Sequence, residues 1–228
     1  MIYILRECES AMADALVKAI RELGHPAGRL YGHHELANER LALPPGNIIT
    51  WGRAVNKYAQ GRAIMRAGVP CIEVTENPPE GADGRGWLHR SFNHEQGQDF
   101  GSRSIVGGYY ARRYDFVHEI RCHVYAGKVI RTGEKRARPR FPNPSSWNRS
   151  YDAGWDIYYD GVHSTPEQRR VAVAAVKAVG LPFGAVDIGL LADGSPLTIE
   201  VNSAPGFDAY RTAQAYAAAI VAEVSNAR

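Results

Sequence analysis

Cysteines and long apolar runs are both scarce in this sequence of 228 residues. The three cysteines, Cys8, Cys71 and Cys122, are odd in number and widely spaced, which argues against a disulfide framework and fits a reducing compartment. No apolar run approaches the roughly 20 residues of a membrane span, and residues 1–5 lead straight into charge, so we expect neither a membrane anchor nor a signal peptide. These absences exclude a disulfide-rich secreted protein and predict a cytoplasmic globular one.

A strong excess of one charge is also missing, because 27 basic and 24 acidic residues give a net charge of +3. That balance is too mild to indicate nucleic-acid binding. The segment 131–140 is rich in arginine, but its alternation fits a solvated strand face and no ladder of aromatic side chains accompanies it. Only five basic residues are lysines, so a lysine at a helix start or on a strand is a candidate functional residue.

Hydrophobic periodicity divides the chain into two parts. About the first 75 residues alternate strands and helices in an α/β manner, and a segment rich in Pro, Gly and Asp follows at 76–86. Beyond it strands dominate, so the pattern predicts a mixed chain with strands and helices in both parts. The predicted strands are 2–5, 48–51, 71–74, 87–90, 108–113, 116–126, 129–138, 183–190 and 197–201, and the predicted helices are 10–23, 56–67, 165–180 and 209–224.

The last two predicted strands form a hairpin with polar side chains on one face. Asp193-Gly194 is a preferred pair for a two-residue hairpin loop, and such a loop fixes the register of both strands. In that register Asp187 lies opposite Glu200, and Asn202, two residues further on, shares the face of Glu200. The other face is expected to be apolar and to consist of Val186, Ile188, Ile199 and Val201.

The polar face of this hairpin predicts a metal site. Two carboxylates directly opposite each other repel unless a cation lies between them. Oxygen ligands with few carboxylates suit Mg²⁺, which usually shares its coordination with substrate phosphates. We therefore predict that Asp187, Glu200 and Asn202 bind magnesium; the plainer alternative is a solvated sheet face.

The segment Glu200-Val201-Asn202-Ser203-Ala204-Pro205-Gly206, with Asp187 on the preceding strand, resembles the ATP-grasp superfamily. It is most similar to the glutamate-ligase-like (RimK-type) branch and its compact phage forms, whose pattern is an Asp followed by E-x-N-x-x-P-G. The resemblance runs from about residue 56 to the end of the chain. It implies an α+β ATP-grasp fold, in which two lobes enclose ATP, and two Mg²⁺ ions, with Mn²⁺ as an alternative, held by the three side chains.

The same resemblance implies ATP contacts upstream of the hairpin. Lys57 begins a predicted helix where the family's lysine contacts nucleotide phosphates; the alternative is a surface lysine, although a cation there opposes the helix dipole. Arg90 stands where the family usually has a lysine, at the end of a predicted strand. The polar segment 91–101 is similar to the family's mobile loop over the triphosphate, and Gly97 is the contact implied within it.

The strand 116–126 carries Glu119 and Arg121, which match the family's E-x-R pattern. The resemblance implies that Glu119 binds ATP through the ribose and that Arg121 is catalytic. Both roles suit the chemistry, because a carboxylate accepts two hydroxyl hydrogen bonds and a guanidinium forks onto phosphate or carboxylate.

A cross-strand pairing is an equally weighted alternative for these residues. A turn at 127–128 places Arg136 opposite Glu119 on the next strand. The family also has a basic residue at Lys135 that faces the phosphates, but in this register Lys135 lies on the apolar side. A bulge, for which Gly133 is the candidate, would remove the conflict.

Asn148 resembles a residue that lines the family's acceptor site, which implies a catalytic role. The arginine expected just before it is missing, since Ser146 and Trp147 stand there. Arg140 and Arg149 are the candidates to replace that arginine, and the sequence does not choose between them.

The resemblance implies a short α/β region at residues 1–55 and an ATP-grasp domain at 56–228, with a lid lobe at about 76–113. It implies a ligase that joins a carboxylate to an amine through an acyl phosphate, forming an amide or peptide bond and releasing ADP and phosphate. We expect a small-molecule, amino-acid or peptide substrate and no nucleic-acid or membrane partner, with homo-oligomer formation left open. The alternatives are a non-catalytic ATP-binding scaffold and an ATP-grasp kinase.

Overall fold

Three β-sheets organise the chain in a computed structural model that describes residues 1–6, 11–31, 48–52, 56–77, 86–92, 108–206 and 209–226. The predicted loop contact Gly97 and most of the segment 76–86 lie outside these ranges. No described helix is long and apolar enough to cross a membrane. The strands are β1 (Ile2–Arg6), β2 (Ala27–Tyr31), β3 (Ile48–Thr50), β4 (Val74–Thr75), β5 (Trp87–Arg90), β6 (Tyr109–Arg112), β7 (His118–Tyr125), β8 (Lys128–Ala137), β9 (Trp155–Tyr158), β10 (Phe183–Leu190) and β11 (Pro196–Asn202), and the helices are α1 (Ala11–Glu22), α2 (Lys57–Arg66), α3 (Pro166–Ala178) and α4 (Ala209–Asn226).

The first sheet is parallel, with β1 between β2 and β3. The apolar face of α1, which includes Leu16 and Ile20, is buried, and it packs on the C-terminal helix α4. Trp51, directly after β3, stacks on Phe183 of β10 with ring centroids 5.0 Å apart. Because the first sheet shares its apolar core with α4 and β10, the division of the chain after residue 55 stays a prediction.

The second sheet is antiparallel, in the order β11-β10-β7-β8-β9, and carries the expected alternation along β7. Ile120, Cys122 and Val124 face α3 in a closed apolar cluster, and Glu119 and Arg121 lie on the opposite face. The helix α3 begins with a capping box, in which the Thr165 hydroxyl accepts from the Gln168 amide and the Gln168 side-chain carbonyl accepts from the Thr165 amide. One face of this sheet is therefore core, and part of the other is free to carry polar residues.

The hairpin β10–β11 reaches the predicted register by a route that the sequence did not predict. The two-residue loop is wrong: the Leu191 amide donates to the Ser195 carbonyl at 3.0 Å, which leaves three residues in the loop, with Gly194 at φ 84°. A bulge at Ile199 adds one residue to β11 and restores the pairing of Asp187 with Glu200. The expectation that Ile199 joins the apolar face is also wrong, because the bulge places it on the wall of a cleft.

The hairpin β7–β8 differs from the sequence-based register by two residues next to its loop and by one residue at Ile120. Its loop is 126–127, and a bulge next to His123 leaves Ile130 without a partner, so Ile120 pairs with Glu134. The predicted opposition of Glu119 and Arg136 is therefore wrong, as is the bulge at Gly133. This shift brings Lys135 to the side of Glu119 and removes the conflict.

The third sheet is antiparallel, in the order β4-β6-β5, and forms a smaller cluster with α2 through Tyr58 and Met65. The structure differs from the predicted strands at three places, one next to the third sheet and two at the edges of the other sheets. The predicted strand 71–74 is reduced to a single bridge between Cys71 and Thr198 followed by β4. The short strands β2 and β9 were not predicted, since neither has a clear apolar alternation.

A buried histidine lies where the main sheet meets α4. His123 is fully buried, and its ring nitrogens lie 3.2 Å from the Tyr216 hydroxyl and 3.0 Å from the Tyr159 hydroxyl. Burial, helped by the positive charge of Arg121, lowers the pKa of His123 to about 3. The folded protein therefore holds this imidazole neutral at pH values where an unfolded chain protonates it.

We expect His123 to make stability depend on pH between about 6.5 and 4.5. Unfolded histidine has a pKa near 6.5, so below that value the unfolded state gains a proton that the folded state does not. The free energy of unfolding should thus fall with decreasing pH, by up to about 1.4 kcal/mol per pH unit from this group. Urea unfolding across this range should show a shallower slope for His123→Gln than for wild type, while the exposed His163→Gln keeps the wild-type slope. Equal slopes for all three proteins would contradict the assignment.

Candidate functional site

A cleft of about 1120 Å³ opens between the second and third sheets, beside α2. Its walls come from segments far apart in the sequence, including β5, β7, β8, β10, β11 and the irregular segment before β9. Nine of the ten predicted site residues lie in described segments, and all nine line this one cleft. They are Lys57, Arg90, Glu119, Arg121, Lys135, Asn148, Asp187, Glu200 and Asn202.

Asp187 is the most enclosed acid of the cleft, with 2% of its surface exposed. Arg121, its cross-strand neighbour on β7, holds both carboxylate oxygens, with Nε 2.6 Å from Oδ1 and Nη2 2.8 Å from Oδ2. Lys135 of β8 lies 3.2 Å from Oδ2 with its Nζ and also pairs with Glu119. Three adjacent strands thus build one buried ionic cluster.

Glu200 forms a second ionic cluster, at the end of β11. Lys57 Nζ lies 3.1 Å from Glu200 Oε2 and 3.4 Å from Asn202 Oδ1. The Asn202 amide in turn donates to Glu200 Oε1 at 3.1 Å. Lys57 is positioned because Asn56 caps α2 by accepting from the Ala59 amide at 3.0 Å, which makes Lys57 the first residue of the helix.

The two clusters keep the predicted metal-binding carboxylates, Asp187 and Glu200, ionised. Burial raises the pKa of Asp187, but Arg121 and Lys135 outweigh it and hold that pKa well below its usual range. Burial also raises the pKa of Glu200, and Lys57 is the main opposing charge that brings it down to about 2. For Glu119 burial prevails over Lys135 and raises the pKa.

The structure corrects the physical reason for expecting a cation between Asp187 and Glu200. The repulsion between these acids is already offset by the protein's own Arg121, Lys135 and Lys57. The argument for a metal therefore rests on the chemistry of the donor set. Two carboxylates and an amide oxygen fit Mg²⁺, provided that phosphate or water oxygens complete its coordination. Within the described ranges no group of three His, Cys, Asp or Glu side chains could hold a metal ion.

The other end of the cleft is built by the segment between β8 and β9. Two hydrogen bonds to neighbouring residues hold Asn148 there. Its backbone amide donates to Ser145 Oγ at 3.0 Å, and its side-chain carbonyl accepts from the Ser150 amide at 3.2 Å. Arg149 lines the same end, with Nη2 donating to the Phe116 carbonyl at 2.6 Å and its guanidinium stacked 4.7 Å from the centre of the Trp155 ring.

Arg140, the other candidate for the missing acceptor-site arginine, lies elsewhere. It lines a separate recess of about 360 Å³ beside Arg138 and Phe141. Of the two candidates, Arg149 is the one in the cleft, and its position could not be predicted from the sequence because both flank an irregular segment.

Sequence reasoning missed Gln60, which lies against the end of β11. It is 3% exposed, three residues after Lys57, and therefore on the same side of α2. That spacing was a usable signal, because a glutamine on the buried side of a helix needs hydrogen-bond partners.

Comparisons with known proteins bear on this cleft and its fold. No protein-family model matches the chain. A segment of 94 residues is 39% identical to a probable alpha-L-glutamate ligase of Shewanella sp. (strain MR-4), covering 40% of this chain and 27% of that protein. A segment of 95 residues is likewise 39% identical to a probable alpha-L-glutamate ligase of Photobacterium profundum, covering 42% and 29%. The chain thus matches less than a third of the length of these curated relatives.

Solved structures resemble almost the whole chain. The ATP-grasp ligase PsnB, complexed with a minimal precursor, matches with a TM-score of 0.70 and 12% identity over 97% of this chain and 98% of its own. A D-alanine–D-alanine ligase from Bacillus anthracis matches with a TM-score of 0.63 and 13% identity over 99% and 96%. The α+β ATP-grasp fold expected from the sequence is therefore confirmed. The chain has the ATP-grasp fold, and a segment of it is similar in sequence to probable alpha-L-glutamate ligases.

Proposed function

We propose that this protein is an ATP-dependent carboxylate–amine ligase. One observation carries the proposal: three cations, Lys57, Arg121 and Lys135, meet two ionised carboxylates, Asp187 and Glu200, in a single cleft large enough for a nucleotide and a second substrate. Phosphoryl transfer depends on positioning and charge neutralisation more than on acid–base groups, so a cluster of this composition suits it. The names of the curated relatives and of the structural neighbours, which are ligases, support the same activity.

The binding roles that we propose follow from where the residues lie. Asp187, Glu200 and Asn202 would hold Mg²⁺, which neutralises phosphate charge when bound. We propose that two Mg²⁺ ions bind there and that Mn²⁺ can replace them. We assign ATP contacts to Lys57, Arg90, Glu119 and Lys135 in the cleft and to Gly97 from the sequence alone.

The proposed reaction has two steps. A carboxylate oxygen of the substrate attacks the γ-phosphorus of ATP, forming an O–P bond while the bond to the bridging oxygen breaks and ADP leaves. An amine then attacks the carbonyl carbon of the acyl phosphate, the C–O bond to phosphate breaks, and the nitrogen loses a proton to solvent. We assign to Arg121 the stabilisation of the phosphoryl group in transfer and to Asn148 the lining of the acceptor end, because both line the cleft.

Nucleotide binding in this scheme is an exchange of ionic partners. Arg121 and Lys135 hold Asp187, and Lys57 holds Glu200, in the arrangement described above. On binding of a metal–nucleotide complex, Lys57, Arg121 and Lys135 would exchange their carboxylate partners for phosphates, and Asp187 and Glu200 would exchange these cations for the metal. Metal alone or nucleotide alone supplies only half of this exchange.

For the acceptor carboxylate we propose Arg149. Its guanidinium is fixed by the Phe116 carbonyl and the Trp155 ring, and it forms no ion pair with another described residue. A preorganised guanidinium of this kind binds a carboxylate at a small cost in side-chain entropy. Solved neighbours are complexed with precursor peptides, and we propose an amino-acid or peptide substrate here.

The first test of the proposed function is binding followed by turnover. Mg²⁺ with a non-hydrolysable ATP analogue at 100 times its Kd should stabilise the protein by about 2.7 kcal/mol and raise its Tm. Glu200→Gln should lose most of that shift because it removes a negative metal ligand, and the exposed control Glu167→Gln should keep it. Absence of a shift in wild type would overturn the proposal.

Turnover separates the ligase from its alternatives. ATP with an acceptor carboxylate and hydroxylamine should give ADP, phosphate and a hydroxamate, detected by mass spectrometry. A stably phosphorylated alcohol would indicate a kinase instead. Tight binding with no turnover across a screen of amino acids and peptides would indicate a scaffold.

The exchange of partners predicts that metal binds weakly without nucleotide. Mn²⁺ retention, measured by electron paramagnetic resonance, should be at least about tenfold weaker alone than with the ATP analogue. Arg121→Gln should strengthen the binding of Mn²⁺ alone because it removes one of the two cations that hold Asp187. Arg113→Gln makes the same charge change in the same cleft without contacting Asp187, and should leave the affinity for Mn²⁺ near that of wild type. Equal affinity of wild type with and without nucleotide would contradict the exchange.

The assignment of Arg149 predicts a selective loss of substrate binding. Arg149→Gln should raise the KM for the carboxylate substrate at least about tenfold, since a hydrogen bond to a charged group contributes about 1.5–3 kcal/mol. The KM for ATP should stay within about twofold. Arg140→Gln, in the separate recess, should change neither value; a loss in this variant alone would assign the role to Arg140.

A further inference from the structure

The outer edge of β11 is covered by three unrelated segments of the chain. β11 is the last strand of the second sheet, so only β10 pairs with it along its length. At its start, the Thr198 amide donates to the Pro70 carbonyl, and the Thr198 carbonyl accepts from Ile72, both at 2.9 Å. Beyond its end, the Ser203 carbonyl accepts from the Gly52 amide at 3.2 Å. Between these points lies the short stretch that carries the proposed metal ligands.

Gln60 covers that stretch with a side chain in place of a strand. Its amide nitrogen donates to the Val201 carbonyl at 2.7 Å, and its carbonyl oxygen accepts from the Val201 amide at 2.9 Å. This is the pair of bonds that a neighbouring strand would make at one residue. The side chain is almost fully enclosed, so water does not compete for these bonds.

The location of these two bonds ties them to the site. Val201 lies between Glu200 and Asn202, and its own side chain is buried in the apolar cluster on the opposite face. The bulge at Ile199 interrupts the ladder immediately before Glu200, so pairing with β10 on this side of the bulge is limited to the last residues of the strand. Fixing the Val201 backbone therefore fixes the directions in which the side chains of Glu200 and Asn202 leave the strand.

Lys57 and Gln60 approach the stretch 200–202 from one face of α2, Gln60 through Val201 alone. Lys57 Nζ lies 3.1 Å from Glu200 Oε2 and also 3.4 Å from the Val201 carbonyl, the group that Gln60 holds. Lys57 supplies a positive charge beside Glu200, and Gln60 holds the backbone of Val201 in place. Hydrogen bonds to the supports of metal ligands commonly contribute about 10- to 100-fold to metal affinity.

We infer that Gln60 is a positioning residue of the metal–nucleotide site, which it serves by holding the backbone between Glu200 and Asn202. This inference rests on the proposed function. It differs from a purely structural role, because the loss of Gln60 should weaken metal binding by more than the loss of an equally buried glutamine elsewhere.

The test compares two glutamines that both bond to backbone groups. Gln60→Met removes the two bonds to Val201 and keeps the length of the side chain. Gln168→Met removes the bond that the Gln168 side-chain carbonyl accepts from the Thr165 amide at the start of α3, on the side of the second sheet away from the cleft. Both substitutions should lower Tm, because each leaves backbone groups without a partner. Measuring Mn²⁺ affinity with a saturating non-hydrolysable ATP analogue, well below both Tm values, isolates the effect on the site.

We expect Gln60→Met to weaken Mn²⁺ binding at least about tenfold and Gln168→Met to change it by less than about twofold. Gln60→Asn keeps an amide but is one methylene too short, so it should also lose affinity, and it serves if the Met variant does not fold. Equal affinities for the Gln60 and Gln168 variants would overturn the positioning role. Failure of the wild type itself to bind Mn²⁺ with the analogue would instead overturn the proposed function.

Discussion

The pairing of a buried carboxylate is the interaction on which the rest of the cleft depends. Asp187 stays ionised with almost no access to water, and an unpaired charge in that position would cost several kcal/mol. The compensating cations come from two neighbouring strands, Arg121 from β7 and Lys135 from β8. The charges can meet only if both hairpins hold their register, so the electrostatics of the site and the pairing of the sheet are one requirement. The apolar cluster against α3 keeps that sheet in place from behind.

A site built in this way is stable before any ligand arrives. Each acid of the two clusters has a basic partner within the protein, so the sheet can carry several carboxylates close together without a bound ion. The same basic side chains are those that polyphosphate chemistry requires. The protein thus uses one set of charges for folding and, in our proposal, for catalysis, with backbone supports such as Gln60 keeping the acids aligned.

How much of this could be predicted from the sequence differs between the fold and the site. The long periodic elements, the cap of α3 and the residues that gather in the cleft follow from local pattern and from the resemblance to ATP-grasp proteins. The short strands β2 and β9 have little pattern of their own, because tertiary pairing and not propensity holds them. The contact between Gln60 and Val201 joins residues 141 apart, and no local rule predicts such a contact.

The two hairpins explain why the cross-strand partner of Asp187 was predicted correctly and that of Lys135 was not. For Asp187 the loop and the bulge at Ile199 are two errors of opposite sign, so its partner Glu200 was predicted correctly for an incomplete reason. In β7–β8 neither the loop 126–127 nor the bulge at Ile130 was predicted, so the cross-strand partners were wrong by two residues next to the loop and by one beyond the bulge. A bulge arises from local twist and packing that a sequence pattern of period two does not contain.

The compensation in the β10–β11 hairpin has a consequence for how this protein can change in length. Exposed hairpin tips ordinarily accept insertions and deletions. Here a shorter loop can still be closed by Leu191 and Ser195, and the loss of the bulged Ile199 alone would leave Glu200 opposite Asp187. Lineages of such a chain should therefore vary in length at the turn and at the bulge, whereas one residue gained or lost between Glu200 and Asn202 would send these two side chains to opposite faces of the sheet.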